Sequence, residues 1–177
     1  MKLLRIKRLS AVGGQVNQLP ASKSISNRAL ILNALAGNQS VVSNLSEARD
    51  TQLMKSLLAS PERLADVKDA GTTMRFLTAF FAVSGTPRLL TGTDRMKQRP
   101  IGLLVDALAK IGARIRYVEK EGFPPLEIEG LEQQLTNEVE IDGSVSSQYI
   151  SALMMIAPSL PQALRLRLTG KVGSRPY

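Results

Sequence analysis

The amino-acid sequence predicts an α/β fold in which the helices lie inside and the sheets lie outside. Three observations lead to this prediction: apolar residues switch repeatedly between a helical and an alternating period, a loop-and-helix pattern recurs three times, and the helices carry little polar face. The strands alternate apolar and charged residues, which suits sheets with one face in water. The chain has 177 residues and no linker-like or low-complexity stretch, so we expect one main hydrophobic core.

The predicted elements alternate along the chain. Helical periodicity covers residues 24–36, 50–59, 72–83, 100–111 and 147–157. Alternating or short apolar runs predict strands at residues 40–45, 86–91, 113–118, 125–129, 138–142 and 163–169. This interleaving of helices and strands is typical of an α/β protein.

A loop of small residues opens an apolar helix three times, as ASKS at 21–24, AGTT at 70–73 and SVSS at 144–147. The equivalent positions Ser24, Thr72 and Ser147 are offset by 48 and 75 residues. The predicted starts of the next helices, near Thr51, Pro100 and Pro176, are offset by 49 and 76 residues. The two series agree to one residue. They indicate three copies of a β-α-β-α unit, each followed by a strand hairpin of variable length.

Two of these copies are expected to be incomplete. Residues 60–67 are too few for a full hairpin after the first copy. The third copy reaches Tyr177 at the point where its second helix should begin. We therefore expect the chain to be a fragment with a truncated third repeat.

Composition excludes several classes of site. The chain has 23 Lys and Arg against 15 Asp and Glu, a net charge of +8, so an anionic partner is expected. It has no His and no Cys, which excludes imidazole bases, thiolate nucleophiles and thiolate metal sites, and no metal is expected. No apolar run approaches the ~20 residues of a membrane span. We expect a cytoplasmic protein with no membrane partner.

The candidate functional residues stand at the three helix starts. A helix N-terminus presents unpaired N–H groups and a partial positive charge, so a loop of small residues lets an anion approach the backbone. The residues at these starts are Lys23, Ser24 and Arg28 in the first copy, Gly71, Thr72 and Arg75 in the second, and Ser146, Ser147 and Gln148 in the third. A basic run at 95–99 ends in Arg99, ahead of another helix.

Each of these residues also has an ordinary structural explanation. Serine and threonine at helix starts are common N-caps. Lys23 and Arg28 are explained equally well as solvated surface charges, and Gly71 as a tight turn. Because three related loops carry the same kind of residue at the same position, we favour a shared anion site.

Four ordered motifs closely resemble the 5-enolpyruvylshikimate-3-phosphate synthase family. They are LPASKSISNR at 19–28, DAGTTMR at 69–75, RMKQRPI at 95–101 and DGSVSSQY at 142–149, and SRPY at 174–177 also fits. Two positions depart from the family pattern: Asp69 stands where Asn is frequent, and Phe76 stands where Pro is common. Neither departure changes the assignment to this family's pattern.

The resemblance implies an enolpyruvate transferase-like enzyme of two domains, each built of three βαβαββ units with buried helices. Residues 19–177 would form the N-terminal domain, incomplete at its C-terminal end, and residues 1–18 a strand segment that packs with the absent second domain. The implied reaction transfers the 1-carboxyvinyl group of phosphoenolpyruvate to the 5-hydroxyl of shikimate 3-phosphate and releases phosphate, without a cofactor. The family's acid/base carboxylates belong to the second domain, so we expect this fragment alone to be inactive.

The resemblance also implies which residues hold shikimate 3-phosphate. Lys23 would lie between the two substrates and touch the reacting hydroxyl, which makes it the candidate catalytic residue. Ser24 and Arg28 would hold the shikimate carboxylate. The phosphate would be held by Ser146, Ser147 and Ser174.

For phosphoenolpyruvate, the resemblance implies contacts with Lys23, the backbone of Gly71 and the guanidinium of Arg99. Gln148 would pack on both substrates. Three further residues match motif positions near the site without a defined role, namely Thr72, Arg75 and Tyr177.

Two other functions compete with this one. The first is that of the related UDP-N-acetylglucosamine enolpyruvyl transferase family, which has the same fold and the same phosphoenolpyruvate chemistry. That family usually carries a Cys at its catalytic loop, and this chain has no Cys. A basic nucleic-acid-binding module would account for the net charge. Such modules interleave exposed aromatics with basic residues, whereas aromatics here make up 4% and cluster in a predicted core helix, so no nucleic-acid partner is expected.

Overall fold

The computed structural model describes residues 13, 15 and 19–171. Its helices are α1 Lys23–Leu35, α2 Arg49–Ala59, α3 Gly71–Ser84, α4 Asp94–Lys97, α5 Gly102–Ile111 and α6 Ser147–Ile156, followed by a 3-10 turn at Ala157–Ser159. Its strands are β1 Leu64–Asp66, β2 Arg88–Thr91, β3 Ala113–Tyr117, β4 Leu126–Leu131, β5 Glu138–Asp142 and β6 Arg165–Thr169. None of the described helices has the length and hydropathy of a transmembrane span.

The described strands form two sheets. The larger sheet has the order β1-β2-β4-β3, with β1 and β2 parallel and the other two pairings antiparallel. The smaller sheet is the parallel pair β5-β6. Both parallel pairs are joined through a helix, α3 in the first case and α6 in the second, so the second and third predicted copies each contain a β-α-β unit.

Helix α3 lies at the centre of the hydrophobic core and packs against the larger sheet and against α1, α2, α5 and α6. Phe76, Leu77 and Phe81 on this helix are almost fully buried, as are Leu104 and Leu108 on α5. Strands β3, β4 and β5 alternate buried and more exposed residues. The predicted arrangement of inner helices and one-sided sheets is therefore confirmed for this part of the chain.

Local signals set the element ends. Ser22 caps α1 by accepting a hydrogen bond from the Ile25 N–H at 3.4 Å, and Ser146 caps α6 by accepting one from the Gln148 N–H at 3.3 Å. Helix α5 ends at Gly112, whose φ is 119°. A Cβ there would lie 2.2 Å from the Gln133 carbonyl oxygen, so only glycine fits this turn.

The five predicted helices are confirmed within two residues at each end, and five of the six predicted strands within two. Strand β1 and the four-residue α4 were not predicted. The expected absence of a hairpin at 60–67 is confirmed, since β1 alone lies between α2 and α3.

The strand predicted at 40–45 is wrong, because residues 39–48 form a loop. Asn38 and Asn44 have φ of 57° and 50°, which breaks an extended run on both sides. Side chains of α1 take the place of a strand partner: the Ser40 N–H donates to Asn33 Oδ1 at 3.2 Å and the Ser46 N–H donates to Ser26 Oγ at 2.9 Å.

One buried side chain joins the second copy to the third. The Gln134 amide oxygen accepts a hydrogen bond from the Gln162 N–H at 2.8 Å, and its nitrogen donates to the Gln162 and Thr136 carbonyls at 3.2 and 3.0 Å. Gln134 therefore pairs with Gln162 much as a peptide group pairs in a sheet.

Candidate functional site

An open cavity of about 360 Å³ lies between the second and third repeat loops. Its lining residues are Arg75, Arg99, Gly143, Ser144, Val145, Ser146, Ser147 and Gln148. Two guanidinium groups, three hydroxyls and one amide therefore face the same space. None of the described lining residues carries a carboxylate, so the cavity has the electrostatic character of an anion site.

The third loop supplies one wall of this cavity. Strand β5 ends at Asp142, and its carboxylate accepts a hydrogen bond from the Ser144 N–H at 2.8 Å, which closes a tight turn. Hydrogen bonding from the Ser144 hydroxyl, and then from its N–H, lowers the pKa of Asp142 below its ordinary value of 3.8. Helix α6 then begins at Ser147, so its N-terminal N–H groups lie at the cavity wall.

The second loop contributes Arg75, which lies one turn into α3. Its Nη1 donates to the Gly71 carbonyl oxygen and to Gln148 Oε1, each at 3.0 Å. Gln148 Nε2 in turn donates to Thr72 Oγ1 at 3.2 Å. The second and third loops are therefore joined by a chain of side-chain hydrogen bonds.

Arg99 reaches the cavity from the loop between α4 and α5. A Cβ added to Gly71 would lie 2.4 Å from Arg99 Nη1 and 2.9 Å from Arg75 Nη1. Glycine at this position thus allows both guanidinium groups to approach the start of α3. The following Pro100 is tied to α6, because the Tyr149 hydroxyl donates to the Pro100 carbonyl at 2.7 Å.

The first loop faces a different neighbour. Lys23 Nζ pairs with Asp50 Oδ2 at 3.0 Å, and half of the lysine side chain is exposed. Arg28 donates to Ser24 Oγ at 2.5 Å and to the Ser24 carbonyl at 3.1 Å. It also donates to Ser151 Oγ on α6 at 3.0 Å and lies over the Phe76 ring at 5.3 Å.

The structure brings together most of the predicted residues but not all of them. Seven lie in or beside the cavity: Gly71, Thr72, Arg75, Arg99, Ser146, Ser147 and Gln148. Arg28 and Ser24 are linked to the same helix α6 through Ser151, while Lys23 lies against Asp50; none of these three lines the cavity. Ser174 and Tyr177, and the strand role expected for residues 1–18, fall outside the described residues.

Sequence reasoning missed three partners of the predicted residues. Asp50 holds Lys23, Ser151 holds Arg28, and Tyr149 lies under the Arg75 guanidinium at 5.5 Å. For Ser151 a signal existed, since it lies one turn after Ser147 on the helix face that carries Gln148. The described residues contain no group of three or more acidic side chains arranged to hold a metal ion.

Fold and site together define a class: an α/β protein of repeated units whose helix starts and arginines surround a cavity lined by cationic and hydroxyl groups. The sequence model of EPSP synthase (3-phosphoshikimate 1-carboxyvinyltransferase) matches residues 6–60 and 54–177. The chain belongs to this family. The two matched segments overlap at the end of α2, where the hairpin of the first copy is missing.

Curated relatives agree with this assignment. The 3-phosphoshikimate 1-carboxyvinyltransferase of Bacteroides fragilis is 56% identical over 161 residues, which cover 90% of this chain and 39% of the relative. The enzyme of the same name from Escherichia coli is 38% identical over 203 aligned positions, covering all of this chain and 47% of the relative. The chain thus spans less than half the length of the curated relatives that it matches.

Solved structures confirm the fold. An EPSP synthase from Acinetobacter baumannii superposes with a TM-score of 0.71 at 18% sequence identity, covering 88% of this chain and 40% of that one. The predicted enolpyruvate transferase-like α/β fold is therefore confirmed.

Proposed function

We propose that this chain supplies substrate-binding residues for the transfer of the 1-carboxyvinyl group of phosphoenolpyruvate to the 5-hydroxyl of shikimate 3-phosphate. The observation that carries the proposal is the cavity between the second and third repeat loops, where Arg75, Arg99, three serines and Gln148 converge. Both substrates carry a phosphate and a carboxylate. Fixed cationic and hydroxyl donors are the groups that bind such anions most strongly.

The proposed roles follow the position of each donor. Ser146 and Ser147, at the start of α6, hold the phosphate of shikimate 3-phosphate. Arg99 and the backbone of Gly71 hold phosphoenolpyruvate, and Gln148 contacts both substrates. Arg28 and Ser24 hold the shikimate carboxylate, which requires that ligand to extend from the cavity toward Ser151.

Lys23 is proposed to act between the substrates. The reaction forms a bond from the 5-oxygen to C2 of phosphoenolpyruvate, removes the hydroxyl proton and adds a proton to the methylene carbon. Loss of phosphate and of one methyl proton then completes the transfer. A lysine ammonium is a mobile point charge that stabilises developing negative charge. Because Asp50 holds Lys23 in the structure, we propose that substrate anions compete with Asp50 for this ammonium group.

The described part of the chain does not supply an obvious acid/base pair near the cavity. Asp50 is engaged with Lys23, and Asp69 accepts a short hydrogen bond from the Thr93 hydroxyl. The relatives are more than twice as long as this chain. We therefore propose that turnover requires groups from the second domain of the same enzyme, and that the complete protein works in the cytoplasm.

Isothermal titration of the chain with each substrate tests this function. We expect shikimate 3-phosphate to bind, and Ser147→Ala to weaken it about tenfold by removing a donor to a phosphate. Ser159→Ala, at an exposed serine of the 3-10 turn, is the matched control and should leave binding unchanged. Failure of the chain to bind shikimate 3-phosphate contradicts the proposal. Tighter binding of UDP-N-acetylglucosamine favours the related enolpyruvyl transferase instead, and tight salt-dependent binding of DNA favours the nucleic-acid alternative.

A phosphate-release assay with both substrates tests whether turnover requires groups from outside this chain. We expect the chain alone to give no turnover above the uncatalysed rate. In the complete enzyme, Lys23→Ala should lower kcat far more than Lys120→Ala, since Lys120 lies in the turn between β3 and β4. Equal effects of the two lysine variants would assign Lys23 to the solvated surface charges.

A further inference from the structure

The side-chain amide of Gln148 is held at both ends. Its oxygen accepts from Arg75 Nη1 at 3.0 Å, and its nitrogen donates to Thr72 Oγ1 at 3.2 Å. Gln148 also lines the cavity between the second and third loops. The amide therefore joins the two loops at the point where a ligand would enter.

The chemistry of arginine determines which way this amide points. A guanidinium group donates hydrogen bonds and cannot accept them, so the atom that faces Arg75 must be the oxygen. The nitrogen then lies on the other side and carries two N–H groups, of which Thr72 takes one. The second N–H has no partner among the described residues, so it is a donor available to a ligand.

Arg75 is itself held in place, which makes this orientation rigid. It donates to the Gly71 carbonyl, one turn back along α3, and lies over the ring of Tyr149. Tyr149 is anchored by its bond to the Pro100 carbonyl. The Arg75 Nε is buried and has no hydrogen-bond partner among the described residues, so the side chain keeps this position despite an unmet donor.

We propose that Arg75 is a positioning residue that fixes which end of the Gln148 amide carries the free N–H, and so selects ligands that present an acceptor oxygen, such as that of a phosphate or a carboxylate, at this point of the cavity. An oxygen of a phosphate ester or a carboxylate fits this requirement, whereas a group that can only donate, such as an ammonium, does not. The nature of the ligand rests on the proposed function. The orientation of Gln148 does not.

The first experiment tests the orientation without any substrate. In ¹⁵N-labelled chain, the Gln148 side-chain amide protons should exchange with water more slowly than those of exposed Gln133. Arg75→Met should remove this difference, and Arg75→Lys, which keeps a donor, should retain part of it. Equal exchange of Gln148 and Gln133 in the unmodified chain would overturn the proposal.

The second experiment tests selection, with shikimate 3-phosphate and phosphoenolpyruvate as probes. Gln148→Glu keeps an oxygen toward Arg75 but replaces the donor by a carboxylate oxygen. We expect the affinity for shikimate 3-phosphate to fall at least about tenfold while the melting temperature is unchanged or higher. Gln133→Glu is the matched control and should change neither quantity.

A double-mutant cycle separates positioning from direct contact. If Arg75 acts through Gln148, Arg75→Met should weaken binding in the unmodified chain but have little further effect in the Gln148→Leu variant. Equal effects of Arg75→Met in both backgrounds, or unchanged affinity in Gln148→Glu, would refute the positioning role. If the unmodified chain binds neither substrate while Gln148 exchange depends on Arg75, the proposed function fails and the positioning of Gln148 stands.

Discussion

The helices of the first and second repeats, α1 and α3, carry the same arginine arrangement in two different surroundings. Arg28 donates to the carbonyl of Ser24 and Arg75 to the carbonyl of Gly71, in each case four residues back. Each guanidinium also lies over an aromatic ring and reaches a polar side chain of α6. Helix α6 therefore receives both arginines, although only Arg75 borders the cavity.

The surroundings of the two helices differ in the part of the chain that the structure describes. Helix α3 lies between two paired strands and is covered on most sides. Helix α1 is followed by a loop, and its Ile25 and Leu32 side chains are 71% and 47% exposed. The arginine arrangement is therefore a local property of each helix start. The cavity, in contrast, lies where two described β-α-β units place their loops side by side.

The largest expected effect is a difference in the free energy of unfolding between a Leu→Ala substitution in α3 and one in α1. Leu77→Ala removes a fully buried side chain of α3 and should lower the free energy of unfolding by about 2–5 kcal/mol. Leu32→Ala, also within a helix, removes a half-exposed side chain of α1 and should cost less than about 1 kcal/mol. Urea denaturation followed by circular dichroism measures both. A similar cost at the two positions would show that α1 is as well covered as α3.

An intermediate effect concerns the first residue of α3. Gly71→Ala places a methyl group 2.4 Å from Arg99 Nη1 and 2.9 Å from Arg75 Nη1, so the end of the Arg99 side chain must move away and that of Arg75 must shift slightly. We expect little change in melting temperature and a loss of phosphoenolpyruvate affinity in the complete enzyme of about tenfold.

Gly102→Ala is the matched control, because Gly102 is also the first residue of a helix and its added Cβ would find ordinary contacts of 3.4 Å or more. It should preserve both stability and affinity. If Gly71→Ala leaves phosphoenolpyruvate affinity unchanged, Arg99 does not hold this ligand from its position over Gly71.

The smallest expected effect is a pH dependence of the third loop. Hydrogen bonds from the Ser144 hydroxyl and N–H lower the pKa of Asp142, so the charged form stabilises the folded turn at pH above the ordinary value of 3.8. This contribution should be lost as the pH falls from 3.8 through the lower pKa of the folded state. The Ser144 amide resonance, followed by NMR during acidification, should shift in that window.

Asp142→Asn provides the control for this titration, since an amide does not ionise. The Ser144 resonance should then remain constant over the same pH range. A midpoint above 3.8 in the unmodified chain would contradict the direction of the shift.

Much of the fold was predictable because its signals are local. The spacing of apolar residues within α5 identifies a helix, and their alternation within β4 and β5 identifies strands. Ser22 and Ser146 mark helix starts in the sequence. The residues that line the cavity from the second and third loops, such as Arg75 and Ser147, could also be located from the sequence, because they stand at or near helix starts.

The rest depends on which segments meet in space. Residues 40–45 have the composition of a strand, but side chains of α1 bond the backbone at Ser40 and Ser46 and hold this segment as a loop. Strand β1 has only three residues, too short for a period, and is specified by its pairing with β2. In the same way, the Lys23–Asp50 pair joins residues 27 positions apart, and nothing in either local sequence indicates it.

The pairing of Gln134 with Gln162 has a consequence for how the chain unfolds. The described strands of the two sheets share no hydrogen bonds, so cooperativity between the second and third repeats depends on helix packing and on side-chain bonds. Gln134 supplies the bonds at one end, and Gln148 and Tyr149 supply those at the cavity. A side chain, unlike a peptide group, can be removed by substitution. In Gln134→Leu, we therefore expect hydrogen exchange to divide the molecule into two subglobal units, with β5, α6 and β6 opening at a lower free energy than the helices around α3.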